Sequence, residues 1–190
     1  MDTGQIEMIP TATAVRGPET HMPAEHIELR WYAVYTCANH EKRVAQQLRE
    51  RSVEYYLPLY ERERSWKDRR VKLQTPLFPG YVFVHAALRD RLHILQTPGV
   101  VHLVGFGGHP APLPQEEILG IQNCLSQGLH IQPHPYLCVG RRIQIMRGPL
   151  QGLEGVIVRR KNRSRFVLSF DLLQRAVAIE MNVMDLQPAN

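Results

Sequence analysis

The sequence predicts an α+β protein with two small domains, and three observations support this. Residues 30–126 alternate strand-like apolar runs with segments of helical periodicity, in the order β-α-β-β-α-β-α that is typical of a small α/β sandwich. Residues 137–188 contain short runs of alternating apolar side chains between glycines, in a length that suits an SH3-like β-barrel. Residues 127–136 contain two prolines and no periodicity, so we expect a linker between two independently folding domains.

The N-terminal half begins with a strand and a helix. Residues 31–36 are rich in aromatic and β-branched side chains, which favour a strand of what should be an antiparallel sheet. Asn39 is suited to cap the helix that follows, and residues 40–51 place Val44 and Leu48 on one helical face. We expect these two side chains to pack against the sheet.

More strands are predicted along the rest of this half. Residues 55–60 favour a strand, and residues 62–72 alternate basic and acidic side chains around Trp66, as expected for an exposed hairpin. Further strands are expected at residues 81–84 and 100–104, with a glycine turn at residues 105–108.

Two more helices are predicted from apolar side chains at helical spacing. The first is short, and its inward side chains would be Leu88, Leu92 and Leu95. The second begins at Pro114, and its inward side chains would be Ile118, Ile121 and Leu125.

Composition excludes several classes of protein. The chain has no apolar stretch long enough for a membrane span and no secretory signal, so we expect a soluble cytoplasmic protein. The three cysteines are far apart, which argues against a disulfide framework. His130 and His134 have the spacing of metal ligands, but Pro133 and Pro135 prevent the helix that would pair them. We predict no metal, cofactor or catalytic site, and therefore a binding protein rather than an enzyme.

Charge is distributed unevenly along the chain. Residues 1–29 carry one basic and five acidic side chains without periodicity, so we expect a disordered acidic tail. Residues 30–136 carry 13 basic and 9 acidic side chains, and residues 137–190 carry 9 basic and 4 acidic ones. The basic excess of both folded parts favours a nucleic-acid partner.

A turn followed by an apolar strand is the most distinctive stretch, at residues 75–84. Pro79 and Gly80 favour a turn, and Tyr81 begins a run of strand-forming side chains. Phe78 lies beside the turn, where a strand cannot easily bury its ring. The residues alone allow two interpretations: a core strand with a turn before it, or an exposed aromatic site that includes Phe78 and Tyr81.

Three segments resemble the NusG family of transcription elongation factors, in the same order along the chain. Phe78-Pro79-Gly80-Tyr81 is similar to the F-P-G-Y signature of that family, and residues 31–35 are similar to the opening strand of its N-terminal (NGN) domain. Residues 148–156 are similar to the core of a KOW motif, which the family carries on its C-terminal barrel. Residues 76–84 and 172–175 resemble the specialised antiterminators of polysaccharide operons, the UpxY-like and RfaH-like paralogs, more closely than housekeeping NusG.

The resemblance implies a binding site for the clamp helices of RNA polymerase. The matching side chains are aromatic, and aromatic side chains are effective interface anchors because they bury a large area at a small entropic cost. These candidate residues are Tyr35, Phe78, Tyr81, Phe106 and Trp31.

A second expected surface is basic. The resemblance implies that it contacts the non-template DNA strand of the transcription bubble, and a ring among cations could stack an unpaired base. Its candidate residues are Asn39, His40, Lys42, Arg43, Arg62, Arg64, Trp66, Lys67, Arg69 and Arg70. The residues alone leave open a solvated hairpin whose cations are balanced by Glu61, Glu63 and Asp68.

The KOW-like segment offers a third surface. The resemblance implies contact there with ribosomal protein S10 or with Rho, although Leu150 stands where housekeeping proteins commonly have phenylalanine. The candidate residues are Gly148, Pro149, Leu150, Gly152 and Gly155.

We therefore expect a monomeric transcription elongation factor that binds RNA polymerase and promotes antitermination on a particular operon. Two alternatives stay open: a housekeeping NusG-like factor that modulates pausing and Rho termination, and a ribosome-associated KOW protein. An aromatic site on residues 30–126 would argue against the ribosomal alternative, because a ribosomal KOW protein has no use for such a site.

Overall fold

A five-stranded antiparallel sheet forms the centre of the N-terminal half. The structure is a computed structural model, and it describes residues 27–66, 69–134, 142–145, 150–160, 163–181 and 186–188. The central strand β1 (Arg30–Thr36) lies between β5 (Tyr81–Ala86) and β6 (Val100–Leu103). β2 (Glu54–Tyr56) extends the sheet beyond β5, and β9 (Pro112–Leu113) also pairs with β1.

Two hairpins accompany this sheet, which we call the N-terminal sheet. β3 (Leu59–Trp66) and β4 (Arg69–Pro76) pair along their whole length, which confirms the hairpin predicted at residues 62–72. The single strand predicted at residues 55–60 is divided between two strands: β2 ends at Tyr56 and β3 begins at Leu59, with Pro58 between them. The glycine turn predicted at residues 105–108 belongs to a second hairpin, formed by β7 (Gly105–Phe106) and β8 (His109–Pro110).

Three helices flank the N-terminal sheet: α1 (Glu41–Glu50), α2 (Arg91–Leu95) and α3 (Gln115–Ser126). The prediction that Asn39 caps α1 is wrong, because Asn39 has a left-handed φ of 62° and His40 precedes the helix. The inward stripe predicted for α2 is wrong for two of its three residues: Leu88 packs against the core, but Leu92 and Leu95 are exposed and Ile94 is buried instead. A 3₁₀ turn precedes α2, and its tighter winding shifts the phase of the side chains that follow.

The N-terminal sheet is covered on both faces. Side chains alternate along β1, so Tyr32 and Val34 pack with Val44 and Leu48 of α1 on one face, as predicted for the two helix residues. Ala33 of β1 belongs to the core cluster on the other face. That second cluster includes side chains of α3 and of the C-terminal half.

A six-stranded antiparallel sheet, which we call the C-terminal sheet, forms the second half. Its strands, in spatial order, are β10 (Ile131–His134), β14 (Arg175–Met181), β13 (Arg163–Phe170), β12 (Glu154–Arg160), β11 (Arg142–Ile145) and β15 (Leu186–Pro188). The α+β class is therefore confirmed, with two separate sheets, whereas closure of the second sheet into a barrel stays a prediction.

The predicted linker contains a strand. β10 lies within residues 127–136 and pairs with β14, with Ile131 opposite Ile179, so the prediction of a patternless connection is wrong for residues 131–134. Because β10 is at the edge of the C-terminal sheet, its proline interrupts no hydrogen-bond ladder on the outer side. The predicted acidic tail lies outside the described residues except for residues 27–29.

The two sheets share one apolar core. A single cluster of buried side chains joins Phe83 of β5 and Ile121 of α3 to Phe166, Phe170 and Ile179 of the C-terminal sheet. The two halves are thus packed together in this state, and independent folding of each half stays a prediction. Among the helices in the described part of the chain, none combines the length and the apolar character that a membrane span requires.

Candidate functional site

Backbone hydrogen bonds fix the turn between β4 and β5. The Tyr81 amide donates to the Phe78 carbonyl at 3.1 Å, and the Thr36 amide of β1 donates to the Gly80 carbonyl at 2.9 Å. Gly80 has a φ of 86°, which L side chains rarely adopt, and a Cβ there would lie 3.2 Å from the Tyr35 ring. The glycine is therefore required both by the backbone conformation and by the close approach of Tyr35.

Phe78 is buried rather than exposed. Only 1% of its surface is accessible, and its ring meets Phe83 of β5 edge-on with the centroids 5.3 Å apart. Phe170 of the C-terminal sheet makes a second edge contact with Phe78, at 4.9 Å. The prediction that Phe78 is exposed is wrong in this state, because a side chain from the other half of the chain covers the ring.

Next to Phe78, two tyrosines leave part of the aromatic surface open. Tyr35 is 39% exposed, and its ring lies 5.5 Å from that of Tyr81, which is half-buried. His102 of β6 is opposite Tyr35 in the register and completes the cluster at a ring distance of 5.2 Å. His102 was not among the residues chosen from the sequence. It lies in the strand predicted at residues 100–104, and pairing of that strand with β1 would have placed it near Tyr35. We call Tyr35, Phe78 and Tyr81 the aromatic site.

The other two aromatic candidates do not join this cluster. Trp31 is buried and stacks on His85 at 5.0 Å, so it contributes to the core rather than to an open surface in this state. Phe106 is 72% exposed on the β7–β8 hairpin, and the ring contacts of Tyr35 are with Tyr81 and His102 instead.

The KOW-like residues face α3. Leu150 is fully buried, and a Cβ at Gly120 of α3 would lie 3.3 Å from Leu150 Cδ2 and would overlap Leu153 Cδ1. The helix therefore approaches Leu150 and Leu153 so closely that any side chain at Gly120 would require the Leu153 side chain to move. The Leu150 side chain is therefore not accessible to a partner in this state. We call the contacts Phe78–Phe170 and Gly120 with Leu150 and Leu153 the closed interface.

The remaining KOW-like glycines have structural roles or lie outside the described residues. Gly152 has a φ of 88°, and a Cβ at Gly155 would overlap the Phe166 ring. Gly148 and Pro149 are outside the described residues.

Buried titratable groups lie on α3. Burial, together with the neighbouring charges of Asp171 and Glu116, raises the pKa of Glu117 to about 7. Burial also raises the pKa of the Cys124 thiol to about 12, so Cys124 is a neutral core side chain rather than a nucleophile. The Tyr56 hydroxyl has a raised pKa too, because it is buried and lies near Cys124.

Glu117 makes stability depend on pH. Its pKa is raised from 4.5 in the folded protein, so the folded state keeps this proton to a higher pH than the unfolded chain does. The free energy of unfolding should therefore fall as the pH rises from about 4.5 to about 7, and then level off. Glu117→Gln should remove this decline and raise stability at pH 8 by on the order of 1–3 kcal/mol. Urea denaturation across this pH range measures it. Glu50→Gln, at an exposed position of α1 that does not affect the pKa of Glu117, is the control, and a decline that persists in Glu117→Gln would contradict the assignment.

The β3–β4 hairpin separates its charges between two faces. Residues directly opposite in an antiparallel pair share a face, and successive residues alternate between faces. Arg62 is opposite Leu73, and Arg64 is opposite Val71, all four exposed. We call Arg62, Arg64, Val71 and Leu73 the cationic face.

Glu61 and Glu63 are on the other face of the hairpin, whereas Asp68 lies outside the described residues. Glu63 is opposite Lys72 in the register, and Ser65 is opposite Arg70. Lys72 bonds Glu61 at 2.8 Å, and that hydrogen bond raises the pKa of the lysine. We call Glu61, Glu63, Arg70 and Lys72 the mixed face. On the mixed face, the predicted balance of charges is present between Glu61 and Lys72.

The remaining basic candidates are at the tip of the hairpin and at the start of α1. Trp66 and Arg69 are paired in the register at the end of the hairpin, and Lys67 lies outside the described residues. At the helix, Asn39, Lys42 and Arg43 are exposed, and Lys42 Nζ donates to the Gln74 carbonyl of β4 at 2.7 Å. The structure thus joins the start of α1 to β4 at Gln74, which is opposite Glu61 in the register. His40 is half-buried against Gly99.

No group of three or more His, Cys, Asp or Glu side chains is arranged to hold a metal ion within residues 27–66 and 69–134 or the shorter described segments beyond them.

The structure has two packed sheets, and comparison with known proteins identifies the class of the protein. The family described as "Transcription termination factor nusG" matches residues 29–122. The "Transcription termination/antitermination protein NusG" of Yersinia pestis is 30% identical over 169 residues, which cover 80% of this chain and 92% of that protein. The protein with the same description from Escherichia coli strain K12 is 28% identical over 176 residues, covering 84% of this chain and 96% of that protein.

A solved structure of Thermotoga maritima NusG, concerned with its domain interaction, has a similar fold. It superposes with a TM-score of 0.53 at 20% identity and covers 86% of this chain and 98% of that chain. The chain belongs to the NusG family of transcription termination/antitermination factors, which are not enzymes. The relatives described here are NusG proteins, so they support the family and not the narrower resemblance to operon-specific paralogs.

Proposed function

We propose that this factor binds RNA polymerase through the aromatic site, and that the clamp helices are its target. The ring cluster carries this proposal: Tyr35 and Tyr81 are at least partly accessible beside Phe78, and the neighbouring His102 extends the surface. Adjacent rings of this kind offer a large contact area with few rotatable bonds, which suits an apolar helical partner. Membership of a family of transcription factors supports the same partner.

Binding through Phe78 requires that the closed interface opens. The Phe170 ring occupies the position above Phe78 that a partner would need. The apparent affinity for polymerase is therefore the intrinsic affinity multiplied by the fraction of molecules in the open state. Leu150 is buried in the same interface, so a C-terminal partner such as ribosomal protein S10 or Rho would also favour the open state. Each partner should then raise the affinity for the other.

The cationic face is proposed to hold the non-template DNA strand. Arg62 and Arg64 supply charge, and the exposed Val71 and Leu73 supply apolar contact to unpaired bases. Lys42 and Arg43 of α1 extend this surface because Lys42 is bonded to the hairpin. A hold on both polymerase and strand would favour the elongating arrangement over the paused one.

The hairpin faces provide a matched test of strand binding. Arg62→Ala with Arg64→Ala should weaken binding of a labelled single-stranded DNA and reduce the salt slope of log K by about 1.4, because each phosphate contact contributes roughly 0.7. Arg70→Ala with Lys72→Ala removes the same charge from the mixed face and should have a smaller effect. Fluorescence anisotropy across a salt series measures both. Equal losses in the two double variants would indicate general electrostatic attraction and contradict a specific face.

Single-round transcription over a template with a pause and a terminator tests the function as a whole. We expect the protein to bind core polymerase and to increase read-through on its own operon leader, as an operon-specific antiterminator in the cytoplasm. Increased pausing or termination would instead support the housekeeping NusG-like role. A chain that binds no polymerase, even with the closed interface opened, would overturn the proposal in favour of the ribosome-associated alternative.

A further inference from the structure

One buried carboxylate holds the turn of the aromatic site. The Leu77 amide donates to the Pro58 carbonyl at 2.9 Å, and the Tyr81 amide donates to the Phe78 carbonyl at 3.1 Å. The Gly80 amide instead donates to a side chain, Glu41 Oε1 of α1, at 2.7 Å. Glu41 is therefore the side chain that completes the hydrogen bonding of this otherwise backbone-bonded turn.

The position of Glu41 is unusual for a carboxylate. It is only 6% exposed, and glutamate is rarely buried unless it is paired or hydrogen-bonded, because burial removes its hydration. Glu41 is in the first turn of α1, and the hydrogen bond that its Oε1 accepts from the Gly80 amide gives the buried side chain a partner. Neither the spacing of Val44 and Leu48 nor the basic side chains of this helix indicate the role of Glu41 at the turn.

Glu41 acts on the rings through Gly80. The Gly80 carbonyl accepts from the Thr36 amide while its amide donates to Glu41, so the glycine is fixed from two sides. The Tyr35 ring lies 3.2 Å from where a Cβ on Gly80 would be, and Phe78 and Tyr81 flank the glycine in the chain. The next residue of the helix, Lys42, donates a hydrogen bond to the carbonyl of Gln74, six residues before Gly80.

We propose that Glu41 is a positioning residue of the aromatic site, which sets the placement of the Tyr35, Phe78 and Tyr81 rings by holding Gly80. This inference rests on the proposed polymerase binding. Glu41 is beneath the turn and makes no contact with the partner itself.

The test uses three variants of the full chain, each made in a Gly120→Leu parent. A leucine at position 120 would collide with Leu150 and Leu153 and is expected to open the closed interface, so contact between the two halves does not enter the comparison. Glu41→Met keeps the side-chain length and removes the acceptor, whereas Glu41→Gln keeps an oxygen acceptor. Val44→Ala weakens packing of the same helix against the sheet and is the structural control. Amide hydrogen exchange at Gly80 by NMR, thermal unfolding and affinity for core polymerase are measured for each.

Glu41→Met should speed exchange at the Gly80 amide and weaken polymerase binding by about tenfold, the size expected from loss of one hydrogen bond to a charged group. Glu41→Gln should restore most of both. Val44→Ala should lower the unfolding temperature at least as much and leave the affinity within about threefold of the parent, because Val44 packs in the core cluster on the sheet face opposite to that of Phe78 and Tyr81.

Three results would overturn the inference: unchanged Gly80 exchange in Glu41→Met, unchanged polymerase affinity in Glu41→Met, or an equal loss of affinity in Val44→Ala. A parent that binds no polymerase is a different result. It would overturn the proposed function, and the exchange measurement would then show separately whether Glu41 holds the turn.

Discussion

Phe78→Ala should lower the affinity of the opened protein for core RNA polymerase by about 30-fold or more, which corresponds to the roughly 2 kcal/mol of an interface anchor. The ring is at the centre of the aromatic site, between Phe83 and the position that Phe170 occupies in the closed state. When the C-terminal sheet moves away, Phe78 loses its contact with Phe170 and keeps its contact with Phe83, so one side of the ring becomes free for a partner. Transcription effects should disappear together with binding.

The measurement requires an open parent chain because Phe78 has two roles. In the closed state its ring packs against Phe170, so removing the ring also weakens the closed interface, by an amount typical of a buried phenylalanine, about 3 kcal/mol. In the wild-type background, Phe78→Ala would lower the affinity by removing a contact with polymerase and raise it by weakening the closed interface. The two effects on the measured affinity would partly cancel. In the Gly120→Leu background only the loss of the anchor remains.

Phe106→Ala provides the comparison for that measurement. Phe106 is also a phenylalanine, but it is on the β7–β8 hairpin and is already 72% exposed, so its truncation should cost little stability. As a rim contact it should change polymerase affinity by less than about fivefold. Binding of folded Phe78→Ala with the parent affinity would contradict the aromatic site as the polymerase contact.

Most elements of the fold could be predicted because their signals are local. Alternation and β-branched side chains identified β1, β5 and β6, and the spacing of Val44 and Leu48 identified the buried side of α1. The errors arose where backbone geometry interrupts a period. After the 3₁₀ turn that precedes α2, Ile94 is buried and Leu92, which was predicted to be buried, is exposed. In the predicted linker, Pro133 made the edge strand β10 difficult to recognise.

The candidate site was predicted only in part, because its state depends on contacts distant in sequence. The residues of the aromatic site were chosen for their chemistry, but burial of Phe78 depends on Phe170, whose position no local pattern reveals. The same applies to Glu41, because its hydrogen bond with the Gly80 amide depends on how α1 packs beside the turn. By contrast, the separation of hairpin charges follows from the alternation of arginine and glutamate in β3 and could have been read from the sequence.

Gly120→Leu should open the closed interface and raise the apparent affinity for polymerase by about tenfold or more. A Cβ alone at this position would overlap Leu153 Cδ1 and crowd Leu150 Cδ2, and overpacking of this kind typically costs 1–3 kcal/mol. The cost falls on the contact between the two halves. Within α3 itself, replacement of glycine by leucine favours the helix by somewhat under 1 kcal/mol, so the N-terminal half should not be destabilised.

Two measurements separate opening from general damage. Limited proteolysis should cut residues 127–130 faster in Gly120→Leu, and titration with ribosomal protein S10 should show tighter binding, because Leu150 is released together with Phe78. Asn123→Leu adds the same side chain at an exposed position of α3 and should change neither. If Gly120→Leu bound polymerase no better than Asn123→Leu while its C-terminal sheet had separated, covering of Phe78 would not limit binding. The open tyrosines would then be the sufficient contact.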